Sequence, residues 1–143
     1  MDKSAAYTDN YWEGGRYQES KRLSTVEIAK LVRKDVNELL KQKYPGVKVS
    51  IRHKYFAGGA SITAEVKSIP FNPYTEEYLK GNTIPLHGKI YNEKGRDLMH
   101  DIKKAIDNYN YSDCDGMIDY SHVNYYSRVC IDWELEKELL KCA

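Results

Sequence analysis

The run Asp113-Cys114-Asp115-Gly116 has the residue types of a metal-binding loop. Acidic residues before a glycine are typical of the start of a calcium loop, but an EF-hand also needs a glycine at its sixth position and a glutamate at its twelfth. With Asp113 as the first position, the twelfth residue is Asn124, so the motif is incomplete. We therefore predict no metal site, and instead a turn in which Asp115 accepts backbone hydrogen bonds and Gly116 has a positive φ.

Histidine and cysteine supply no complete catalytic motif. The four histidines are far apart and form no H-x-x-x-H or H-E-x-x-H pair; they are His53, His87, His100 and His122. The three cysteines are widely spaced, which fits neither a disulfide framework nor a zinc site; they are Cys114, Cys130 and Cys142. A Cys–His nucleophile pair would have to be assembled by the fold. We therefore expect reduced thiols, no catalytic residue, no cofactor and no enzymatic activity.

A glycine pair closes the run Tyr55-Phe56-Ala57-Gly58-Gly59, whose backbone could bind an anion. Phosphate loops, however, place their glycines between a strand and a helix N-terminus, where the helix dipole assists. Here alternating apolar and polar residues on both sides predict strands. The run is therefore interpreted as a hairpin turn.

The polar residues of these two strands share one face of the predicted sheet. That face carries Lys48, Arg52, Ser61, Thr63 and Glu65. Its cations Lys48 and Arg52, with Tyr55 and Arg128, form a candidate site for a nucleotide or a nucleic acid, held by charge and stacking. The formal net charge of +1 gives this hypothesis no support from overall charge.

Two amphipathic helices and a third strand complete the pattern. The first helix begins at a capping box formed by Ser24 and Glu27 and ends at Tyr44-Pro45-Gly46. Its apolar stripe faces the core, and we interpret its lysines and arginine as solvated surface. The second helix places Leu98, Ile102, Ala105, Ile106 and Tyr109 on one face. A third strand is predicted at 123–131 and a terminal helix at 133–140.

This order, α-β-β-α-β-α, predicts an α+β fold: a two-layer sandwich with a small antiparallel sheet and the helices packed on one face. Its predicted core consists of Leu31, Val49, Ile51, Ile62, Ala64, Ile102 and Val129. The length of 143 residues suits one domain, which we place at 23–143 with an inserted loop at 68–93. Residues 1–22 show no helical or strand period and are interpreted as an irregular aromatic extension.

The extension and the insertion are the candidate partner-binding elements. The insertion is a long loop with a short helix near Glu76 to Leu79, and long loops in compact domains are often functional. The proposed partner contacts are Phe71, Tyr74 and Tyr78 in the insertion and Tyr11 and Trp12 in the extension. The alternative is that these aromatic side chains only cover the core.

The sequence contains no apolar run approaching the roughly 20 residues that span a bilayer. Its N-terminus lacks the apolar segment of a secretory signal. We therefore expect no membrane association and a place in the cytoplasm of the host cell.

Four segments in this order resemble a known family. They are Ile28 to Lys34, Tyr44 to Ser50, Ala57 to Ile62, and Asp115 to Asp119. Together they are similar to large polyvalent protein-associated domain 29, found in large polyvalent proteins of phages and conjugative elements. The resemblance implies a non-enzymatic accessory module, with free-standing relatives that counter host defences. The aromatic extension and the insertion depart from this pattern.

The resemblance leads to the expectation of an anti-CRISPR-like inhibitor that binds a bacterial defence protein or complex. One alternative is a sponge that sequesters a nucleotide second messenger. The other is a nucleic-acid-binding module, which would show strongly salt-dependent affinity.

Overall fold

A computed structural model describes residues 9–80, 90–115 and 120–141. The helices are α1 (Tyr17–Ser20), α2 (Thr25–Lys43), α3 (Glu76–Leu79), α4 (Glu93–Asp107) and α5 (Trp133–Lys141). The strands are β1 (Asp9–Glu13), β2 (Lys48–Phe56), β3 (Gly59–Ser68), β4 (Tyr111–Asp115), β5 (Tyr120–Val123) and β6 (Tyr126–Ile131). The described strands form two three-stranded sheets, in the orders β2-β3-β6 and β1-β4-β5.

The sheet β2-β3-β6 is central to the predicted domain, and the α+β class is confirmed. The hairpin β2-β3 is antiparallel, and Gly58 has a φ of +96° at its turn. Strand β6 pairs with β3 in parallel, so the sheet is mixed and the prediction of a wholly antiparallel sheet is wrong. Parallel strands need a crossover connection, and here the chain between β3 and β6 includes α4.

Helices α2 and α4 cover one face of this mixed sheet. As predicted, α2 begins at a capping box, in which Ser24 Oγ accepts a hydrogen bond from the Glu27 N–H. Strand β3 alternates between buried and half-buried residues, because every second side chain points to the helices. The buried cluster includes Ile51, Ile62, Ala64 and Ile102, as predicted. The other predicted core residues, Leu31, Val49 and Val129, are only partly buried and pack against the cluster.

The second sheet contains an element that the sequence did not predict. Residues 9–13 of the expected irregular extension form β1, which pairs antiparallel with β4. Gly14 N–H then donates to Asn110 O at 2.8 Å. A Cβ added at Gly14 would lie 1.9 Å from Asp107 O, so this close approach of two backbones requires glycine.

The predicted strand 123–131 is interrupted: Val123 ends β5 in one sheet, Tyr126 begins β6 in the other, and Asn124 and Tyr125 connect them. The buried Asn110 side chain holds this junction: its Nδ2 donates to Tyr125 O at 2.9 Å, and its Oδ1 accepts from Tyr125 N–H at 3.2 Å. Tyr125 OH in turn donates to Ile106 O. These bonds fix the backbone where it leaves one sheet and enters the other.

The start of the predicted insertion packs against α4 and α5. The short helix α3 lies where it was predicted. Asn72 Nδ2 donates to Leu139 O at 3.3 Å, and Asn92 Nδ2 donates to Asn72 O at 2.8 Å. The terminal helix is also confirmed. Residues 81–89 of the insertion lie outside the described part of the chain.

Within the described residues, no helix combines the length and apolar character that crossing a bilayer requires.

Candidate functional site

We call the face of the mixed sheet that lies opposite the helices the outer face. Its residues are aligned in rows across the three strands, and a groove lies along it. Arg52 of β2 pairs with Thr63 of β3, which pairs with Arg128 of β6. In the next row Lys54, Ser61 and Tyr126 are aligned in the same way. In these two rows the central strand carries the short side chains Ser61 and Thr63. The longer Arg52, Lys54 and Arg128 lie on either side and line a groove of about 410 Å³ together with Glu65 of β3. The structure thus brings together Arg52 and Arg128, as the sequence predicted.

The cations of this face differ in their partners. Glu65 Oε1 accepts from Arg52 Nη2 at 3.0 Å and from Lys67 Nζ at 2.9 Å, so one carboxylate is shared by two cations. Lys67 also contacts Asp132 at 2.9 Å. Neither Lys54 nor Arg128 has a carboxylate of the described residues within ion-pair distance. These two side chains are therefore available to an anionic ligand.

Two exposed aromatic side chains lie at the hairpin end of the outer face. The rings of Phe56 and Tyr126 are 6.0 Å apart at an interplanar angle of 30°. Both lie over Gly59, where an added Cβ would be 3.6 Å from the Phe56 ring and 3.7 Å from the Tyr126 ring. Phe56 is 42% exposed and Tyr126 is 51% exposed. They offer planar apolar surface beside Lys54 and Arg128.

The sequence prediction missed Lys54, Phe56 and Tyr126 and included two residues that lie elsewhere. Tyr55 is exposed, but it alternates to the other side of β2, where it contacts His53 at 5.9 Å between ring centroids. Lys48 is separated from this face by a register shift at the start of β2, and it lines another groove near the end of α2. Following the two-residue period from Arg52 would have selected Lys54 and Phe56.

The thiol of Cys130 lies in the groove of the outer face. Burial raises its pKa above the ordinary value, despite the opposing influence of Arg128. A thiol with a raised pKa has little thiolate, which is the nucleophilic form. The groove therefore provides no activated cysteine.

The predicted partner contacts of the insertion are largely packed into the molecule. Tyr74 is 4% exposed and lies between the rings of Tyr78 and Tyr91, at 5.0 and 5.6 Å. Phe71 lies under the ammonium group of Lys94. Tyr74 is thus a core residue rather than an exposed anchor. This agrees with the alternative interpretation, in which the aromatic side chains only cover the core. Contact by the partly buried Phe71 and Tyr78 stays a prediction.

In the extension, Trp12 of β1 is 42% exposed, so its side chain is accessible to a partner. Tyr11 lies in the same strand, and its side chain is outside the described part of the structure. Partner binding by these two residues stays a prediction.

The acidic run that resembled a calcium loop belongs to a strand. Residues Asp113 to Asp115 pair with β1 and β5, so the acidic run is extended backbone up to Asp115. Gly116 lies outside the described residues. In the described parts of the chain, no three His, Cys, Asp or Glu side chains are grouped as metal ligands.

The family model for large polyvalent protein associated domain 29 matches residues 23–132. No curated protein and no solved structure matches the chain. The matched range contains β2, β3 and β6, which build the outer face, and α4, which packs on the opposite face, but it excludes β1 and α5. The chain belongs to the large polyvalent protein associated domain 29 family, whose members are associated with polyvalent proteins of phages and mobile elements.

Proposed function

We propose that this protein is a non-enzymatic accessory protein of a phage or mobile element, and that it binds single-stranded nucleic acid on the outer face. The observation that carries the proposal is the position of Lys54 and Arg128, which have no ion-pair partner among the described residues, beside the exposed rings of Phe56 and Tyr126. Nucleic-acid binding was the second alternative from the sequence, and the outer face is the reason to prefer it.

The residue types of the outer face fit the two parts of a nucleotide. A lysine ammonium binds phosphate as a point charge, and an arginine guanidinium binds it through two parallel hydrogen bonds. Every base has a planar face that can stack on an aromatic ring, so exposed rings bind single strands with little sequence preference. No helix of the described chain covers this sheet face, which leaves room for an extended strand along these side chains.

The low net charge of the chain is compatible with this proposal, because the charge is unevenly distributed. Acidic residues are frequent in the short helix α3 and in α5, at Glu76, Glu77, Glu134, Glu136 and Glu138. On the outer face, Glu65 and Asp132 are matched by Arg52 and Lys67. Lys54 and Arg128 then remain as local positive charge. A phosphate interacts mainly with such nearby charges, because salt screens the more distant ones.

The test is fluorescence anisotropy with labelled single-stranded DNA and RNA at increasing salt concentration. We expect binding that weakens with salt, and a K54Q/R128Q variant that loses at least about tenfold in affinity with an unchanged melting temperature. The control variant R96Q/K104Q removes two exposed α4 cations and should bind like the wild type. Absence of binding at low salt, or equal losses in both variants, would overturn the proposal.

A second candidate function is inhibition of a bacterial defence complex, such as a CRISPR effector, by protein–protein contact. It is supported by the mobile-element family and by exposed tryptophans, a residue type enriched at interface hot spots. Trp12 is 42% exposed and Trp133 is 66% exposed. The test is phage infection of cells that express a defence system, with wild-type protein or a W12A/W133A variant. Protection of the phage by the wild type alone would support this function, and no protection by either would remove it.

Sequestration of a nucleotide messenger is distinguished by thermal shift. A ligand that binds only the native state raises the melting temperature. A shift with cyclic or linear mononucleotides and dinucleotides, together with no binding of longer strands, would favour a messenger sponge.

A further inference from the structure

We infer that α2 carries a second phosphate-binding surface, which continues the nucleic-acid site around the β2 edge of the mixed sheet. This inference rests on the proposed nucleic-acid function. The surface, called here the α2 stripe, is formed by Lys30, Arg33, Lys34, Asn37 and Lys41, which line one groove of about 480 Å³.

Helical spacing places these residues together. Positions 30, 34, 37 and 41 recur at intervals of three or four, so they share one face of the helix. The buried residues of α2 are Ile28, Ala29, Val32, Val36 and Leu40. The α2 stripe therefore lies on a face that turns away from the core, and its four cations are exposed.

The cations of the α2 stripe have no carboxylate of the described residues within ion-pair distance. Asp35, the nearest acid in sequence to Lys34, is already engaged: it accepts from Tyr109 OH and from Arg16 Nη1 at 3.3 Å. Glu38 lines the same groove and offsets one of the four positive charges. A net excess of positive charge remains along more than two turns of exposed helix.

The α2 stripe is continuous with the edge of the mixed sheet. Arg33 Nη2 donates to Ile51 O at 3.0 Å, so its guanidinium lies at the backbone of β2, which is an edge strand. The groove of the stripe also shares Asn37 and Lys41 with a second groove of about 420 Å³ that Lys48 lines. Strand β2 then leads from Lys48 to Arg52 and Lys54, over about 20 Å at 3.3 Å per residue.

A single strand that fills the outer face can therefore reach further phosphate contacts by crossing the β2 edge. Single-stranded sites cover about 4–16 nucleotides, depending on the protein. A short oligonucleotide should occupy the outer face alone, and a longer one should engage both surfaces. A longer oligonucleotide also offers more positions at which the outer face can bind. Affinity should nevertheless increase with oligonucleotide length more steeply than this number of positions explains.

The experiment compares labelled oligothymidines of about 6 and about 18 nucleotides. The test variant is K30Q/K34Q/K41Q, and the matched control is R96Q/K104Q/K141Q on α4 and α5. Glutamine has a helix propensity close to that of lysine, so both variants should keep the melting temperature of the wild type. We expect the test variant to bind the short strand like the wild type and to bind the long strand about tenfold more weakly. The slope of log affinity against log salt concentration on the long strand should become shallower by about 2, because three cations are removed and each phosphate contact contributes about 0.7.

The two proposals fail in different ways. If the wild type binds neither strand, or if K54Q/R128Q binds both like the wild type, the outer face is not the site and both proposals fail. If the outer-face variant loses binding while K30Q/K34Q/K41Q matches its control on the long strand, only the α2 stripe is excluded and its cations are solvated surface.

Discussion

The two three-stranded sheets of this molecule are held in place by different contacts. The mixed sheet packs its inner side chains against α2 and α4, and Ile62, Ala64 and Val66 in its central strand are fully buried. The antiparallel sheet takes one strand from the N-terminal extension, and backbone bonds on either side of Gly15 hold that strand's end: Gly14 N–H to Asn110 O and Arg16 N–H to Asn108 O, both at 2.8 Å.

Because of this difference, we attribute the stability of the fold to the mixed sheet and treat β1 as an addition outside the family range. The matched residues 23–132 contain the whole mixed sheet, whereas β1 lies before them. Because its inner face already provides the core, the outer face of the mixed sheet is free to carry charge and exposed rings. We therefore expect core variants to change folding, variants at Gly14 to change only the second sheet, and outer-face variants to change only binding.

The largest effect is expected in the mixed-sheet core. Ile102→Ala should lower the free energy of unfolding by about 2–5 kcal/mol, because Ile102 is fully buried and its removal leaves a cavity. Leu31→Ala is the matched comparison: Leu31 is only partly buried, so its loss should be smaller. Urea unfolding followed by circular dichroism measures both. Equal losses at the two positions would show that the core does not lie between α4 and the mixed sheet.

The second sheet should respond to Gly14→Ala. The added Cβ would meet Asp107 O at 1.9 Å, and backbone atoms on both sides would have to move, at a cost of about 1–3 kcal/mol. Gly15→Ala is the control, because its Cβ would meet only the Asn108 side chain at 3.8 Å. Amide hydrogen exchange should be faster in β1 and β4 of the Gly14 variant and unchanged in β3. Faster exchange in all three strands would mean that the two sheets unfold as one unit.

The outer face should affect affinity alone. Replacing both Phe56 and Tyr126 by serine removes the stacking surface and should weaken single-strand binding by about tenfold or more, since a stacked base contributes about 1–3 kcal/mol. The salt slope should be retained, because no cation is removed. Tyr55→Ser is the control, as Tyr55 is exposed on the other side of β2. A loss with Tyr55→Ser equal to that of the double variant would place the ligand on the wrong side of the sheet for our proposal.

The sequence predicts α2 and the hairpin β2-β3 well because their signals are local. The capping box at Ser24, the helix end before Pro45 and the turn at Gly58 each depend on a few neighbouring residues. The alternation of β3 is visible because one of its faces is buried. The parallel direction of β6 has no such local signal, since it depends on how the chain returns after α4.

The antiparallel sheet and part of the site were missed because their determinants are distant in sequence. Strand β1 forms only by pairing with β4, near the other end of the chain. In the sequence, Tyr125 continues the apolar–polar alternation of its neighbours. The break between β5 and β6 becomes apparent only from the Asn110 side chain, which forms hydrogen bonds with the Tyr125 backbone. In the site, Tyr126 aligns with β2 residues only through β3, and no spacing in the sequence encodes that alignment.

The smallest effect concerns acid sensitivity at the contact between α2 and α4 that frames the mixed sheet. Burial opposes the ionisation of Asp101, but hydrogen bonds from Lys43 Nζ and Tyr44 OH, both at 2.7 Å, outweigh it and hold the Asp101 pKa below its ordinary value of 3.8. The unfolded chain therefore binds this proton more readily than the folded protein does. The stabilisation is complete above the ordinary pKa and is lost as the pH falls through the lowered pKa.

Asp101→Asn should consequently lower the free energy of unfolding at about pH 7 and should flatten its decline between about pH 5 and pH 2. Urea unfolding across that range measures the slope, with Glu93→Gln, a change at an exposed carboxylate of the same helix, as the control. The outer face contains no part of this contact, so nucleic-acid affinity at neutral pH should be the same in both variants. A slope that stays at the wild-type value in Asp101→Asn would mean that the contact with Lys43 and Tyr44 does not stabilise the charged form, and the acid sensitivity of the fold would then have to come from other carboxylates.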